Sequence, residues 1–160
     1  MNGNIEINEN LILPHMDAKD SKQVLYELSK RMKKYGYVKD TFYEAVLKRE
    51  EDFPTGLKCG QYNFAIPHTE SIHVNRSCIG IATLQQGVDF RRMDEPEDSV
   101  NVFLVVLLAS AGGHEHIEIL RHVIKIFQNE ASIQQLVHTE NKHEIVQVLQ
   151  QCLVGGSDDE

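Results

Sequence analysis

Residues 56–70 read GLKCGQYNFAIPHTE and carry the strongest structural signal in the chain. At their centre, the apolar run 64–66 predicts a β-strand. Pro67 ends this strand, because proline lacks the N–H that a sheet ladder needs. His68 is therefore expected where a strand meets a loop, with its backbone held stiffly by the proline before it. A rigid element with an open face is where a reactive side chain is best placed.

Two interpretations of His68 follow from this position. Histidine can act as a covalent nucleophile through a neutral ring nitrogen, because its pKa lies near physiological pH. The same spacing also fits a histidine that merely follows a strand and carries no chemistry. From the residues alone, both interpretations stay open.

Two helices are predicted before this stretch. The first ends at Gly36, since glycine readily adopts the left-handed conformation that follows many helices. The second opens with the capping-box pattern of residues 41–44. It ends by Phe53, because Pro54 disfavours a helical conformation in the residue before it. Arg49 falls in the last turn of this helix, where a cation suits the helix dipole.

The part of the chain after residue 70 predicts strands and then helices. Residues 78–84 and 88–90 are expected to form two strands around a turn at residues 86–87. Residues 100–109 are apolar almost throughout, which is typical of a central strand covered on both faces. Three helices are expected to follow, at about 114–128, 131–137 and 142–153. The core stripe of the first is expected at Ile117, Leu120, Ile124 and Phe127.

This order of elements predicts an α/β fold in which a mixed β-sheet is flanked by helices, an α/β sandwich. At 160 residues the chain has the length of one domain. We place that domain at residues 1–154. Residues 155–160 are expected to form a disordered acidic tail, because they are led by glycine and rich in aspartate and glutamate.

Composition narrows the possible functions. The net charge of −8 argues against a nucleic-acid-binding protein and suits encounter with a basic protein partner. The three cysteines are widely spaced and form no CxxC motif, which favours a reducing, cytoplasmic setting. The longest apolar run, residues 102–109, is too short to cross a bilayer. We therefore expect a soluble cytoplasmic protein without direct membrane insertion.

Eight histidines invite a metal interpretation, which the spacing does not favour. No HExxH or CxxC motif is present. His114 and His116 would point about 200° apart on a helix. We predict no bound metal and no cofactor, and a metal assay on the purified protein would test a metal hydrolase as the alternative.

The segment around His68 resembles the phosphorylation site of a known family. AIPHTESIHV at 65–74, with REEDFPTG at 49–56 at the matching distance, is similar to enzyme IIA proteins of the sugar phosphotransferase system. The relevant branch is the fructose–mannitol superfamily, and the galactitol-type subgroup is the most similar. The predicted order of elements agrees from about residue 11 to 153. The resemblance implies the α/β sandwich of mannitol and fructose enzyme IIA.

The resemblance also implies a function and its site residues. His68 would take phosphate from the phosphocarrier protein HPr and pass it to a cysteine of an enzyme IIB, which serves the membrane permease enzyme IIC. His116, within Glu115-His116-Ile117, would stabilise the phosphoryl group, and Arg49 would clamp its oxygens. Without the resemblance, His116 fits a solvated helix-start histidine and Arg49 a helix-end charge. A regulatory protein that uses the same phosphohistidine as a signal is the alternative function.

HPr and enzyme IIB must reach the same nitrogen of His68, so we predict that they use overlapping surfaces. That surface is expected to comprise the loop 56–62 and the start of the helix near His114. Leu57, Tyr62 and Ile117 are its expected apolar members. Residues 57–62 depart from the glycine-rich segment of mannitol-type relatives, so loop contacts are not carried over from them.

Overall fold

A mixed five-stranded sheet forms the centre of the computed structural model, which describes residues 6–58 and 62–158. Its strands lie in the order β1-β4-β5-β3-β2. They are β1 (Ile12–Met16), β2 (Gly56–Leu57), β3 (Asn63–Ala65), β4 (Cys78–Arg91) and β5 (Ser99–Ala109). The β4–β5 and β2–β3 pairs are antiparallel, whereas β1–β4 and β3–β5 are parallel. The predicted mixed sheet is confirmed.

Helices cover both faces of this sheet. On one face lie α1 (Ser21–Lys34) and α2 (Phe42–Asp52), and on the other lie α3 (Gly113–Phe127), α4 (Glu130–His138) and α5 (Lys142–Asp158). Successive residues of β5 alternate between two core clusters, with Val105 packing towards α1 and α2 and Leu104 and Val106 towards α3–α5. This double burial explains why the strand is apolar almost throughout.

β4 is one continuous strand, so the predicted turn at residues 86–87 is wrong. Thr83 pairs with Leu104 and Val88 with Val102, which leaves extra β4 residues in an irregular register between them. The surplus is taken up as a bulge, and the strand keeps its direction. Gly87 lies so close to the neighbouring strand that an added Cβ would stand 2.0 Å from the Asn101 side-chain oxygen. Glycine here serves close approach.

The ends of the first two helices show one correct and one wrong prediction. Gly36 has a φ of 83° and ends α1 as predicted, with the Tyr37 N–H donating to the Met32 carbonyl at 2.9 Å. Thr41 makes no capping bond at the start of α2. Its hydroxyl is instead 2.7 Å from Nδ1 of His73, so a tertiary partner has replaced the predicted capping box.

The C-terminal helices differ in detail from their prediction. The buried stripe of α3 is Ile119, Val123 and Phe127, whereas Ile117 is 55% exposed, so its predicted place in the core is wrong. α5 continues beyond residue 153 to Asp158, into the acidic segment placed outside the domain. The domain boundary at 154 stays a prediction. Within residues 6–58 and 62–158, no helix is both long and apolar enough for a membrane span.

Candidate functional site

His68 lies immediately beyond β3, where the chain is still attached to the sheet. Ile66 is buried, and the carbonyl of Pro67 accepts a hydrogen bond from the Leu108 N–H at 3.0 Å. The segment after β3 therefore remains tied to the central strand β5 up to the residue before His68. The predicted position of His68 at a strand end is confirmed.

One ring nitrogen of His68 is committed to the backbone. Nδ1 lies 2.9 Å from the carbonyl oxygen of Ile66. A carbonyl oxygen only accepts hydrogen bonds, so Nδ1 carries the proton of the neutral ring. The lone pair then belongs to Nε2, which is the atom available for nucleophilic attack or for accepting a proton.

His68 opens into a pocket of about 230 Å³. The ring of His116, in the first turns of α3, lies 4.7 Å from the His68 ring, centroid to centroid, at 57°. Arg49 contributes from the last turn of α2. The complete lining is Arg49, His68, Thr69, Glu70, Ser71, Ser110, Gly112 and His116. The structure thus brings together the three site residues that the sequence predicted.

Arg49 has unused hydrogen-bonding capacity at this pocket. Its guanidinium stacks over the Phe53 ring at 4.6 Å, and Nη1 lies 3.8 Å from a carboxylate oxygen of Glu70. Within the described part of the chain, the buried Nε of Arg49 has no hydrogen-bond partner. The pair with Glu70 is long and exposed, and such pairs contribute little. Arg49 can therefore turn its donors to an anionic group in the pocket.

The surroundings favour the neutral form of both histidines. Burial lowers the pKa of His68, and although the bond to Ile66 opposes this shift, the positive charge that His116 carries when protonated and the charge of Arg49 add to it. Burial, followed by the charge of Arg49, also lowers the pKa of His116. A neutral His68 retains its Nε2 lone pair, and a neutral His116 can donate one N–H.

We expect an NMR titration of the ring nitrogens to show His68 protonating below pH 6.5. Arg49→Ala should raise the pKa of both His68 and His116, because the guanidinium charge lowers them. Because the unfolded chain, with a histidine pKa of about 6.5, binds this proton more strongly than the folded chain, the fold is more stable above that pH than below it. The free energy of unfolding falls as the pH drops from about 6.5 through the folded-state pKa. Protonation of His68 at or above pH 6.5 would contradict the expectation.

Two residues that line the pocket, Glu70 and Ser110, were not predicted from the sequence. Glu70 follows His68 closely, and Ser110 directly follows β5.

Cys78 is buried, which raises the pKa of its thiol to about 12 and excludes it as a nucleophile at neutral pH. Cys59 lies outside the described residues. Within those ranges, no three His, Cys, Asp or Glu residues cluster as metal ligands would.

A larger cavity of about 520 Å³ lies elsewhere, between α1, α2 and the end of β4. It shares no lining residue with the pocket of His68. Neither histidine contributes to it, so the candidate site is assigned on the chemistry of its side chains and not on cavity size.

Comparison with known proteins identifies a family that matches most of the chain. Residues 6–152 match the profile of the family described as Phosphoenolpyruvate-dependent sugar phosphotransferase system, EIIA 2. The galactitol-specific EIIA component of the PTS system of Escherichia coli (strain K12) is 32% identical over 118 residues, covering 74% of this chain and 78% of that protein.

Two solved structures share the fold. The complex of mannitol enzyme IIA and phosphorylated mannitol enzyme IIB from Escherichia coli matches with a TM-score of 0.76 at 23% identity, covering 91% of this chain and 98% of the matched chain. The nitrogen regulatory protein IIA-Ntr from Neisseria meningitidis matches with a TM-score of 0.71 at 20% identity, covering 89% and 95%. With the family profile spanning most of its length, the chain belongs to the EIIA 2 family of the sugar phosphotransferase system and is a phosphoryl-transfer component of it.

Proposed function

We propose that His68 is the phosphoacceptor of this chain and relays phosphate from phospho-HPr to a cysteine of an enzyme IIB. The observation that carries the proposal is the bond between Nδ1 of His68 and the Ile66 carbonyl, because it leaves the lone pair on Nε2. Nε2 forms the new N–P bond while the bond between phosphorus and the donor breaks. In the second transfer, the cysteine thiolate attacks phosphorus and His68 leaves as the neutral ring. Neither step requires a cofactor.

The pocket suits the charge of the transferring group. Phosphoryl transfer proceeds through a loose transition state, with negative charge spread over the three equatorial oxygens. Arg49 would neutralise the charge on these oxygens with its guanidinium donors, and His116 would donate a hydrogen bond to them from its ring N–H. Both groups already line the pocket of His68, so little reorganisation is needed when phosphate arrives.

A galactitol transport system is the setting that similarity favours. The galactitol-specific relative is 32% identical, whereas the nitrogen regulatory protein is 20% identical and shares the fold alone. We therefore place transport ahead of a regulatory role. The sugar itself would be selected by the IIB and IIC partners, because the proposed chemistry of this chain involves only a phosphoryl group.

Three exposed apolar side chains, each close in sequence to a pocket residue, suit docking of these partners. Phe53, Ile72 and Ile117 are 60%, 69% and 55% exposed. Each lies within four residues of a pocket residue along the chain: Arg49, Ser71 and His116, respectively. A modest apolar patch with charged surroundings is appropriate for a relay interface that must form and release quickly.

Two residues predicted for this surface are partly buried. Leu57 and Tyr62 pack against the core on the side of α3–α5, and the Tyr62 hydroxyl lies 3.2 Å from Nε2 of His138. Because both side chains are partly buried by this packing, we propose Phe53 and Ile72 as additional members of the docking surface. Ile117 stays a proposed member.

A relay assay tests both the function and the surface. We expect labelled phosphate to pass from phospho-HPr to this chain and then to a galactitol-type enzyme IIB. Ile117→Glu should slow both transfers, because a charge would be desolvated in each complex. Met93→Glu alters a 43% exposed apolar side chain outside the pocket and should leave both rates unchanged. Failure to accept phosphate would refute the function, and phosphate retained in the presence of the IIB would favour a regulatory role.

A further inference from the structure

Glu50, the neighbour of Arg49 in α2, has a half-buried side chain. One carboxyl oxygen accepts the backbone N–H of Thr55 at 2.9 Å, and the other accepts the Thr55 hydroxyl at 2.9 Å. Thr55 is itself only 2% exposed. The charged group that faces this pair from the sheet is Arg91 of β4. Glu50 therefore closes the segment 50–55 with two partly buried hydrogen bonds.

This closure connects α2 to the strands that carry His68. Thr55 leads directly into β2, and Gly56 of β2 pairs with Ala65 of β3, three residues before His68. The junction is tight, since an added Cβ on Gly56 would lie 2.6 Å from the carbonyl oxygen of Arg91. The contacts of Thr55 and Gly56 therefore hold the last turn of α2 in place relative to β3.

Arg49 lies on the same helical turn as Glu50. Consecutive helical residues point about 100° apart. Arg49 accordingly lines the pocket of His68, whereas Glu50 lines the larger cavity between α1, α2 and the end of β4. The direct partners of Arg49 are an exposed ring and a long, exposed ion pair, which do not hold a guanidinium firmly. Its distance from His68 must be set chiefly by the backbone that carries it.

We propose that Glu50 is a positioning residue for phosphoryl transfer, which holds Arg49 against His68 through its two hydrogen bonds to Thr55. This role rests on the proposed function, because it requires phosphate on His68. Glu50 does not line the pocket of His68, so its effect on the reaction passes through the placement of Arg49.

Glutamine can replace Glu50 in this role. Burial raises the pKa of Glu50, which means that the surroundings penalise its charged form more than water does. The amide oxygen of glutamine can accept the Thr55 N–H, and its NH₂ can donate to the Thr55 hydroxyl oxygen, since a hydroxyl turns freely. Alanine removes both bonds. Glu50→Gln should therefore preserve transfer while Glu50→Ala does not.

The test measures phosphoryl transfer from phospho-HPr in Glu50→Ala, with and without Arg49→Ala. In the otherwise native chain we expect the rate at saturating phospho-HPr to fall by about tenfold to a hundredfold, with half-saturation unchanged, as for a misplaced transition-state group. In the Arg49→Ala background the further loss should be less than about twofold, because the two residues act as one unit. Glu51→Ala, which removes the adjacent exposed carboxylate, should have no effect.

The possible results distinguish failure of the positioning role of Glu50 from failure of the proposed function. Equal losses in both backgrounds, or a native rate in Glu50→Ala, would overturn the positioning role. Should Glu50→Ala fail to fold, Thr55→Val and Thr55→Ser replace it: the valine variant should be slow and the serine variant close to native, and equal rates would overturn the role. If the unaltered chain takes no phosphate from phospho-HPr, the proposed function fails, irrespective of Glu50.

Discussion

His68→Ala is expected to abolish phosphorylation by phospho-HPr. The variant removes Nε2, the atom to which the Ile66 contact assigns the lone pair. Among the described residues, His116 is the only other histidine that lines the pocket, and its ring lies beside that of His68. In the unaltered protein the label should be acid-labile and base-stable, as phosphohistidine is. We expect loss of the label in the variant to be complete.

The fold should survive this substitution. Alanine leaves the Ile66 carbonyl without its partner, which costs about 1 kcal/mol. For a domain of this size, that loss lowers the melting temperature by roughly 2–4 °C. His73→Ala is the matched control, because His73 follows closely in sequence but contacts Thr41 at 2.7 Å outside the pocket. Undiminished labelling of His68→Ala, or loss of labelling in His73→Ala, would contradict the assignment.

The position of His68 followed from local rules of the backbone. An apolar run followed by proline must leave the sheet ladder at a definite residue, because proline has no N–H. The same kind of rule located Gly36 at the end of α1, where a positive φ is needed. Such features depend on a few neighbouring residues and can therefore be predicted without knowledge of the fold.

The meeting of Arg49, His68 and His116 could not be predicted in this way. These residues lie in α2, just after β3 and at the start of α3, and they meet in one pocket only once the sheet and its helices have assembled. Periodicity determines which face of an element is apolar, not which elements are neighbours. The family resemblance supplied that information, and on residue chemistry alone His116 and Arg49 retained ordinary surface interpretations.

The wrong predictions share a physical cause. Thr41 has the sequence of a helix cap, but its hydroxyl bonds His73, which is 32 residues away. Gly87 has the sequence of a turn, but it makes room for Asn101 of the neighbouring strand. In both cases a tertiary contact outweighed the local preference. The hydrogen-bonded pair of Glu50 and the buried Thr55 was not predicted for the same reason, because a glutamate at a helix end is ordinarily solvated.

His116→Ala is expected to leave His68 phosphorylatable but to slow the onward transfer to enzyme IIB. His116 lies 4.7 Å from His68 between ring centroids, and its lowered pKa leaves it a neutral N–H donor. Such a donor matters most when the phosphoryl oxygens carry the spread charge of the transition state. Removing one aimed donor typically costs on the order of a hundredfold in rate. Rapid-quench measurement of phosphate leaving phosphorylated His68 gives this rate directly.

Two further variants separate this role from a general effect of losing a histidine. His116→Gln keeps an N–H donor at the start of α3 and should recover part of the rate. His138→Ala removes an exposed histidine that bonds Tyr62 and does not line the pocket, so its transfer should remain native. An unchanged transfer rate in His116→Ala would return His116 to the interpretation of a solvated helix-start histidine. In that case Arg49 would have to stabilise the phosphoryl oxygens without a second donor from α3, and Arg49→Ala should then show the larger loss.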